Sequence, residues 1–114
     1  MNAFREVALA PVTRQQIARF AGAVRDFHPL HVDEEFAKAS GWPSVIAHGP
    51  LTLALAIDAI VAQLGVDALE RVEARMVAPV LPGESLAVVP TESGFDVRTQ
   101  SGTVVLTANT KVVV

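Results

Sequence analysis

The chain has 114 residues, and we expect one domain over residues 1–114, large enough to bury roughly two-thirds of its unfolded surface. Hydrophobic residues make up 51% of it, which predicts either a membrane segment or a core supplemented by a subunit interface. The longest apolar run, 51–64, is shorter than the about 20 residues that span a bilayer. No basic-then-apolar leader opens the chain. We therefore expect no membrane contact, a cytoplasmic location and self-association.

The formal net charge is −3, and the basic residues are scattered along the sequence. This distribution argues against a nucleic-acid partner, because nucleic-acid binding needs a concentrated cationic face. The absence of cysteine excludes disulfides, thiolate catalysis and cysteine-ligated metal sites.

The first half of the chain predicts short elements around a loop. A strand is expected over 4–10, and Thr13 begins a helix over 14–24 with apolar residues at helical spacing. The segment R-D-F-H-P-L-H at 25–31 is expected to be a fixed loop, because Pro29 forces its predecessor out of helical geometry. A short helix capped by Asp33 follows and runs through about residue 39.

The second half predicts one long helix and then a sheet. The helix begins at Pro50 and is apolar nearly all round, so we expect it to be enclosed on all sides. From residue 69 the hydrophobic period changes to two, which predicts four antiparallel strands in a meander. Ser101-Gly102 is typical of a two-residue hairpin turn. The fold class is therefore α+β, a sheet wrapped on a helix, whose edge strands favour a dimer.

Asp26 and His31 are the first candidate catalytic pair. A histidine exchanges protons near neutral pH, and a nearby carboxylate can hold a water molecule beside it. The alternative is that Asp26 caps a local turn while His31 is a hydrogen-bonded core residue.

The segment A-H-G-P at 47–50 is the second candidate. A glycine at a helix N-terminus can point its N–H at an incoming oxygen, which describes an oxyanion hole at Gly49. The alternative is a simple capped turn. Metal binding is the competing interpretation, because Asp26, His28 and His31 supply the two histidines and one carboxylate of a known type of iron site. We nevertheless expect no metal.

Two linked segments, R-D-F-H-P-L-H-V-D-E-E-F-A and I-A-H-G-P-L-T-L-A-L, resemble the MaoC-like, or R-specific, enoyl-CoA hydratases and their acyl-carrier dehydratase relatives. The resemblance implies a hotdog fold, a long helix wrapped by an antiparallel sheet and paired into a dimer. It also implies that Asp26 and His31 are the catalytic dyad and that the Gly49 amide binds the thioester carbonyl. His28 stands where the family has asparagine, Pro50 replaces its methionine, and Ala54 occupies a position where some members have serine.

The function implied is hydration of trans-2-enoyl thioesters, or dehydration of (3R)-3-hydroxyacyl thioesters, carried by coenzyme A or an acyl carrier protein. No cofactor is expected. His48 and His28 are predicted to help bind the substrate, and Phe27 and Trp42 to line its acyl pocket. The alternatives are the catalytic subunit of a heteromeric dehydratase or a thioesterase that uses Asp58 on the long helix.

Overall fold

The computed structural model describes residues 4–113. In chain order the elements are β1 (Val7–Leu9), α1 (Arg14–Val24), α2 (Pro29–Val32), α3 (Glu34–Ala39), α4 (Gly49–Leu64), β2 (Leu69–Met76), β3 (Leu86–Pro90), β4 (Gly94–Thr99) and β5 (Val104–Val112). The positions of α1, α3 and the four later strands confirm the prediction from hydrophobic period. None of the helices in residues 4–113 is both long and apolar enough to cross a membrane.

The five strands form one antiparallel sheet in the order β1-β3-β4-β5-β2. Strands β3, β4 and β5 form a meander, but β2 pairs with β5 and not with its successor β3. The expected four-strand meander is therefore wrong. In the connection 77–85 the amides of Val77 and Ala78 donate to the Val105 carbonyl. The chain therefore continues along β5 before it crosses β5 and β4 to reach β3.

Helix α4 packs against one face of this sheet, and the buried side chains of both form the core. Four residues of α4 are buried: Leu51, Thr52, Ala56 and Ile60. One long helix on an antiparallel sheet is the expected α+β hotdog arrangement. The prediction that the helix is enclosed on all sides is wrong for the single chain, because the sheet covers one side of it and residues such as Ala54 and Asp58 are exposed.

Two predicted boundaries near the sheet differ from the structure. Strand β1 is three residues long and not seven, because it pairs only with Leu86–Val88 of β3 and Phe4 turns into the core. The turn between β4 and β5 spans residues 100–103. Gly102 there has a φ of 91°, and no non-glycine neighbour has a positive φ. A two-residue type I′ turn needs two such residues in succession, so the longer turn forms.

Glu34, the first residue of α3, fastens the helical region to the chain that leads into α4. Its carboxylate accepts the Val45 N–H at 2.9 Å and pairs with the Arg14 guanidinium of α1 at 2.9 Å. The Val45 amide, aided by Arg14, holds the pKa of Glu34 below its ordinary value. These contacts stabilise the ionised carboxylate. They also hold α1, α3 and the segment that leads into α4 in fixed positions.

Candidate active site

Asp26 is presented by the end of α1. Arg25 adopts a left-handed conformation with φ 58° and ψ 40°, which ends the helix, and the Asp26 N–H donates to the Ala21 carbonyl at 3.0 Å. The Asp26 Oδ1 atom accepts the His28 N–H at 3.3 Å. The carboxylate is thus held at the start of the 26–28 loop, with its side chain 52% exposed.

His31 is carried by α2, a single helical turn where the sequence predicts a fixed loop. Proline is well suited to the first position of a helix, so Pro29 begins this turn and does not prevent it. The Leu30 carbonyl accepts the Ile46 N–H at 2.9 Å, and His31 Nδ1 lies 2.7 Å from the Ile46 carbonyl. A carbonyl only accepts, so Nδ1 carries the proton and Nε2 of the neutral ring is a free acceptor. That free nitrogen is 3.9 Å from Asp26 Oδ2.

His48 lies behind the pair and contacts both of its members. Its Nε2–H donates to the backbone carbonyl of Asp26 at 3.0 Å. Its ring stacks on His31, with centroids 3.7 Å apart and planes 20° from parallel, and Phe20 lies on it at 5.1 Å. His48 is buried, and no partner is found for its Nδ1 atom within residues 4–113. The ring therefore faces its protein neighbours and not the cavity beside His31.

Asp26, His31 and His48 bring one ligand-type atom each within 4.8 Å of one another. This set differs from the one considered from sequence, because His28 is replaced by His48. The lone pairs of imidazole nitrogens lie in the ring planes, and the two stacked planes are close to parallel. They do not converge on one point, as the ligands of a tetrahedral or octahedral ion do. The arrangement suits proton transfer better than metal binding.

A cavity of about 400 Å³ is lined by both His31 and Gly49, whereas Asp26 is not part of its wall. Gly49 is the first residue of α4, and within residues 4–113 no acceptor pairs with its N–H. The first amides of a helix lack intrahelical partners and carry partial positive charge. A carbonyl oxygen in this cavity therefore has a hydrogen-bond donor available at the helix start.

The rest of the cavity wall is largely apolar. Trp42 contributes to it, together with the segment 76–80 and Thr52. Phe27 is 61% exposed and lies outside this wall in the single chain. The segment 76–80 could not be recognised as part of a site from the sequence, because it begins at the end of a strand, contains Pro79 and carries no polar side chain.

Close packing explains why residue 49 is glycine. A Cβ atom at this position would lie 2.7 Å from Cγ of Met76, the last residue of β2. The Met76 side chain would have to shift to admit a larger residue at position 49, and Met76 and Gly49 are both part of the cavity wall.

Comparison with known proteins gives one family. The MaoC-like domain model matches residues 2–114. The peroxisomal enoyl-CoA hydratase 2 of Arabidopsis thaliana is 44% identical over 64 residues, which are 54% of this chain and 21% of that protein. The 3-hydroxyacyl-thioester dehydratase Y of Mycobacterium tuberculosis is 38% identical over 81 residues, which are 68% of this chain and 28% of that protein.

Among solved structures, the unliganded R-hydratase PhaJ1 from Pseudomonas aeruginosa superposes with a TM-score of 0.82 at 22% sequence identity. The match covers 98% of this chain and 81% of that one, and it shows a shared fold. The chain spans only 21% and 28% of the lengths of the two curated relatives above.

Proposed function

The chain belongs to the MaoC-like domain family, and we propose that Asp26 and His31 catalyse the reversible hydration of trans-2-enoyl thioesters to (3R)-3-hydroxyacyl thioesters. One observation carries the proposal. The unprotonated nitrogen of His31 lies 3.9 Å from the Asp26 carboxylate, and His31 and Gly49 both line one largely apolar cavity. An acid/base pair on one side and an amide donor on the other are what this chemistry needs.

In the hydration direction one water molecule lies between the two acceptors, the Asp26 carboxylate and His31 Nε2. The 3.9 Å separation of these groups leaves them free to bind the same water. The water oxygen adds to C3 of the substrate, one of its protons passes to the pair, and the pair returns a proton to C2 on the same face. The net change is the addition of one water molecule, and the pair regains its starting protonation.

The Gly49 amide acts on the other end of the substrate. Adding an oxygen at C3 moves negative charge onto the thioester oxygen, which becomes enolate-like. A backbone N–H at a helix start stabilises that charge without rearrangement, and the loss of one such donor typically costs about 10²- to 10³-fold in rate.

The apolar cavity then accepts the acyl chain, with Trp42 as one wall. The carrier is coenzyme A or an acyl carrier protein, and no cofactor is required because the dyad and the amide supply the proton transfers and the charge stabilisation. Phe27, Val32 and Phe36 are exposed apolar side chains that lie in, or just before, α2 and α3. Phe27 contributes to acyl binding in this proposal only when the chain is assembled.

We extend the proposal to assembly as a homodimer, or as the catalytic half of a heterodimer. Strand β2 is eight residues long and lies at the edge of the sheet, which leaves backbone donors and acceptors for a second chain. The side of α4 that the sheet leaves uncovered adds two partly exposed apolar residues, Ile57 and Val61. Sedimentation of the purified chain distinguishes a homodimer from a monomer that requires a different partner.

A thioesterase mechanism would need a carboxylate on α4 that reaches the substrate. Asp58 is the acidic residue of this helix, and it is exposed and absent from the cavity wall. Hydration leaves the thioester intact, whereas a thioesterase releases a free thiol. The two reactions are therefore separable by their products.

The experiment compares Asp26→Asn and His31→Ala with Asp58→Asn on a trans-2-enoyl-CoA. We follow the loss of absorbance of the conjugated thioester, the thiol released and the configuration of the 3-hydroxy product. Each dyad variant is expected to lose about 10²- to 10⁴-fold in turnover, the usual contribution of a general acid or base. Asp58→Asn is the matched control, a carboxylate removed outside the cavity, and should retain full activity.

Wild-type turnover in both dyad variants would remove the assignment of Asp26 and His31. Release of thiol by the wild-type chain, lost in Asp58→Asn, would instead establish the thioesterase.

A further inference from the structure

His28 is the N-cap of α2, the helical turn that carries His31. Its ring Nδ1 accepts the backbone N–H of Leu30 at 3.1 Å. Such a bond satisfies one of the amides that a helix start leaves unpaired. Asparagine, serine and aspartate are the usual residues in this role, and each offers a side-chain oxygen as acceptor.

A histidine cap differs from these in one physical respect. The imidazole accepts a hydrogen bond at Nδ1 only while that nitrogen is unprotonated, so the neutral His28 ring carries its proton on Nε2. Protonation converts both ring nitrogens into donors. The bond from the Leu30 amide is then lost, and the amide faces a positive charge.

The neighbours of His28 connect it to both members of the dyad. The Asp26 carboxylate, in the loop before it, accepts the His28 N–H at 3.3 Å. His31 on α2 lies edge-on, with ring centroids 6.3 Å apart, and α3 presents the ring of Phe36 at 6.2 Å. Asp26 and His31, the two members of the dyad, are thus titratable groups that face His28.

We propose that His28 is a positioning residue for the dyad: its neutral ring caps α2 and aligns His31 with Asp26, and its protonation withdraws this alignment at acid pH. The inference rests on the proposed function for its effect on catalysis. The cap itself, and its dependence on protonation, are properties of the fold. His31 is also bound to Ile46, so the loss of the cap loosens α2 and does not release it.

The test compares His28→Asn, which caps at every pH, with His28→Ala, which does not cap. At about pH 7.5, where histidine is mostly neutral, His28→Asn should match the wild type. His28→Ala should lose about fivefold in kcat at unchanged KM, the factor that corresponds to the roughly 1 kcal/mol of a helix cap. On acidification to about pH 5.5, the wild type should fall about fivefold relative to His28→Asn, because only the wild type loses the cap of α2.

A constant ratio of wild-type kcat to His28→Asn kcat across this pH range would overturn the pH dependence, and full activity of His28→Ala would overturn the positioning role.

Nitrogen NMR provides a readout that needs no turnover. The neutral His28 ring should show the proton on Nε2, and Leu30 amide exchange in the wild type should accelerate towards acid relative to His28→Asn. The opposite tautomer would refute the inference even if the hydratase activity is confirmed. The expected tautomer without any turnover would leave the cap established and refute only the proposed function.

Discussion

Replacing His48 by phenylalanine separates the packing role of its ring from its role as a hydrogen-bond donor to Asp26. The aromatic ring would still fill the space between Phe20 and His31, so the stack seen at 3.7 Å keeps a flat partner. What disappears is the Nε2–H that donates to the Asp26 carbonyl at 3.0 Å. The substitution therefore removes one hydrogen bond while changing the packing little.

The magnitude follows from that lost bond. A polar group left without its partner costs about 1–3 kcal/mol, against a total stability of about 5–15 kcal/mol for a domain, so the variant should still fold. Asp26 then loses the contact that fixes its backbone opposite His31. A displacement near 1 Å of a reacting group costs about 10²-fold, so we expect kcat to fall by up to that factor. KM should change little, because His48 is not on the cavity wall.

The assay is steady-state hydration of a trans-2-enoyl-CoA, with urea unfolding measured in parallel. His48→Gln is the matched control, since its side-chain amide offers an N–H donor at similar reach and should restore part of kcat. A many-fold rise in KM at unchanged kcat would refute this reasoning. That result would mean that His48 binds the substrate, as the sequence alone suggested.

Three further predictions concern packing and charge. Gly94→Ala should destabilise the chain by about 3 kcal/mol or more in urea unfolding, because its Cβ would lie 2.1 Å from the buried Ala108 carbonyl oxygen of β5; an unchanged unfolding midpoint would contradict this. Glu34→Gln should be less stable than the wild type near neutral pH. Because folding lowers the pKa of Glu34, that difference should shrink as pH falls from the ordinary glutamate value of 4.5 through the folded value, and a difference independent of pH would be inconsistent with it. Gly49→Ala should reduce kcat/KM, and adding Met76→Ala should recover activity by removing the clash at 2.7 Å, which a double-mutant cycle measures as positive coupling.

The elements that could be predicted from the sequence are those whose signals are local. Thr13 marks the start of α1, and its hydroxyl accepts the Gln16 amide at 3.1 Å. Asp33 similarly caps α3. The alternation of apolar residues from residue 69 locates the strands, because side chains of a strand alternate between its faces. Each of these signals involves residues within four positions of one another.

The pairing of β2 with β5 could not be predicted in this way. It joins residues thirty or more positions apart, such as Val72 and Thr110. Alternation specifies which face a residue takes but not which strand lies beside it. The helical turn α2 could not be predicted for a different reason. Pro29 keeps His28 out of helical geometry, as expected, but proline at the first position favours a helix that begins at Pro29 itself.

The candidate site shows the same limit in its chemistry. The sequence supplies three histidines with no indication of which nitrogen of each carries the proton. In the structure a backbone group determines the tautomer of each ring. The Ile46 carbonyl holds the proton on Nδ1 of His31, and the Asp26 carbonyl holds it on Nε2 of His48. The Leu30 N–H donates to Nδ1 of His28 and so leaves the proton on Nε2. Two of these backbone groups lie 15 and 22 residues from the ring they bind, so the tautomers depend on the tertiary fold. Three side chains of one type thereby acquire three different properties: a free acceptor towards Asp26, a buried donor behind it and a cap that requires a neutral ring. Only the free acceptor nitrogen of His31 is suited to exchange a proton with a substrate. For that reason we propose His31, and not His28 or His48, as the partner of Asp26 in the dyad.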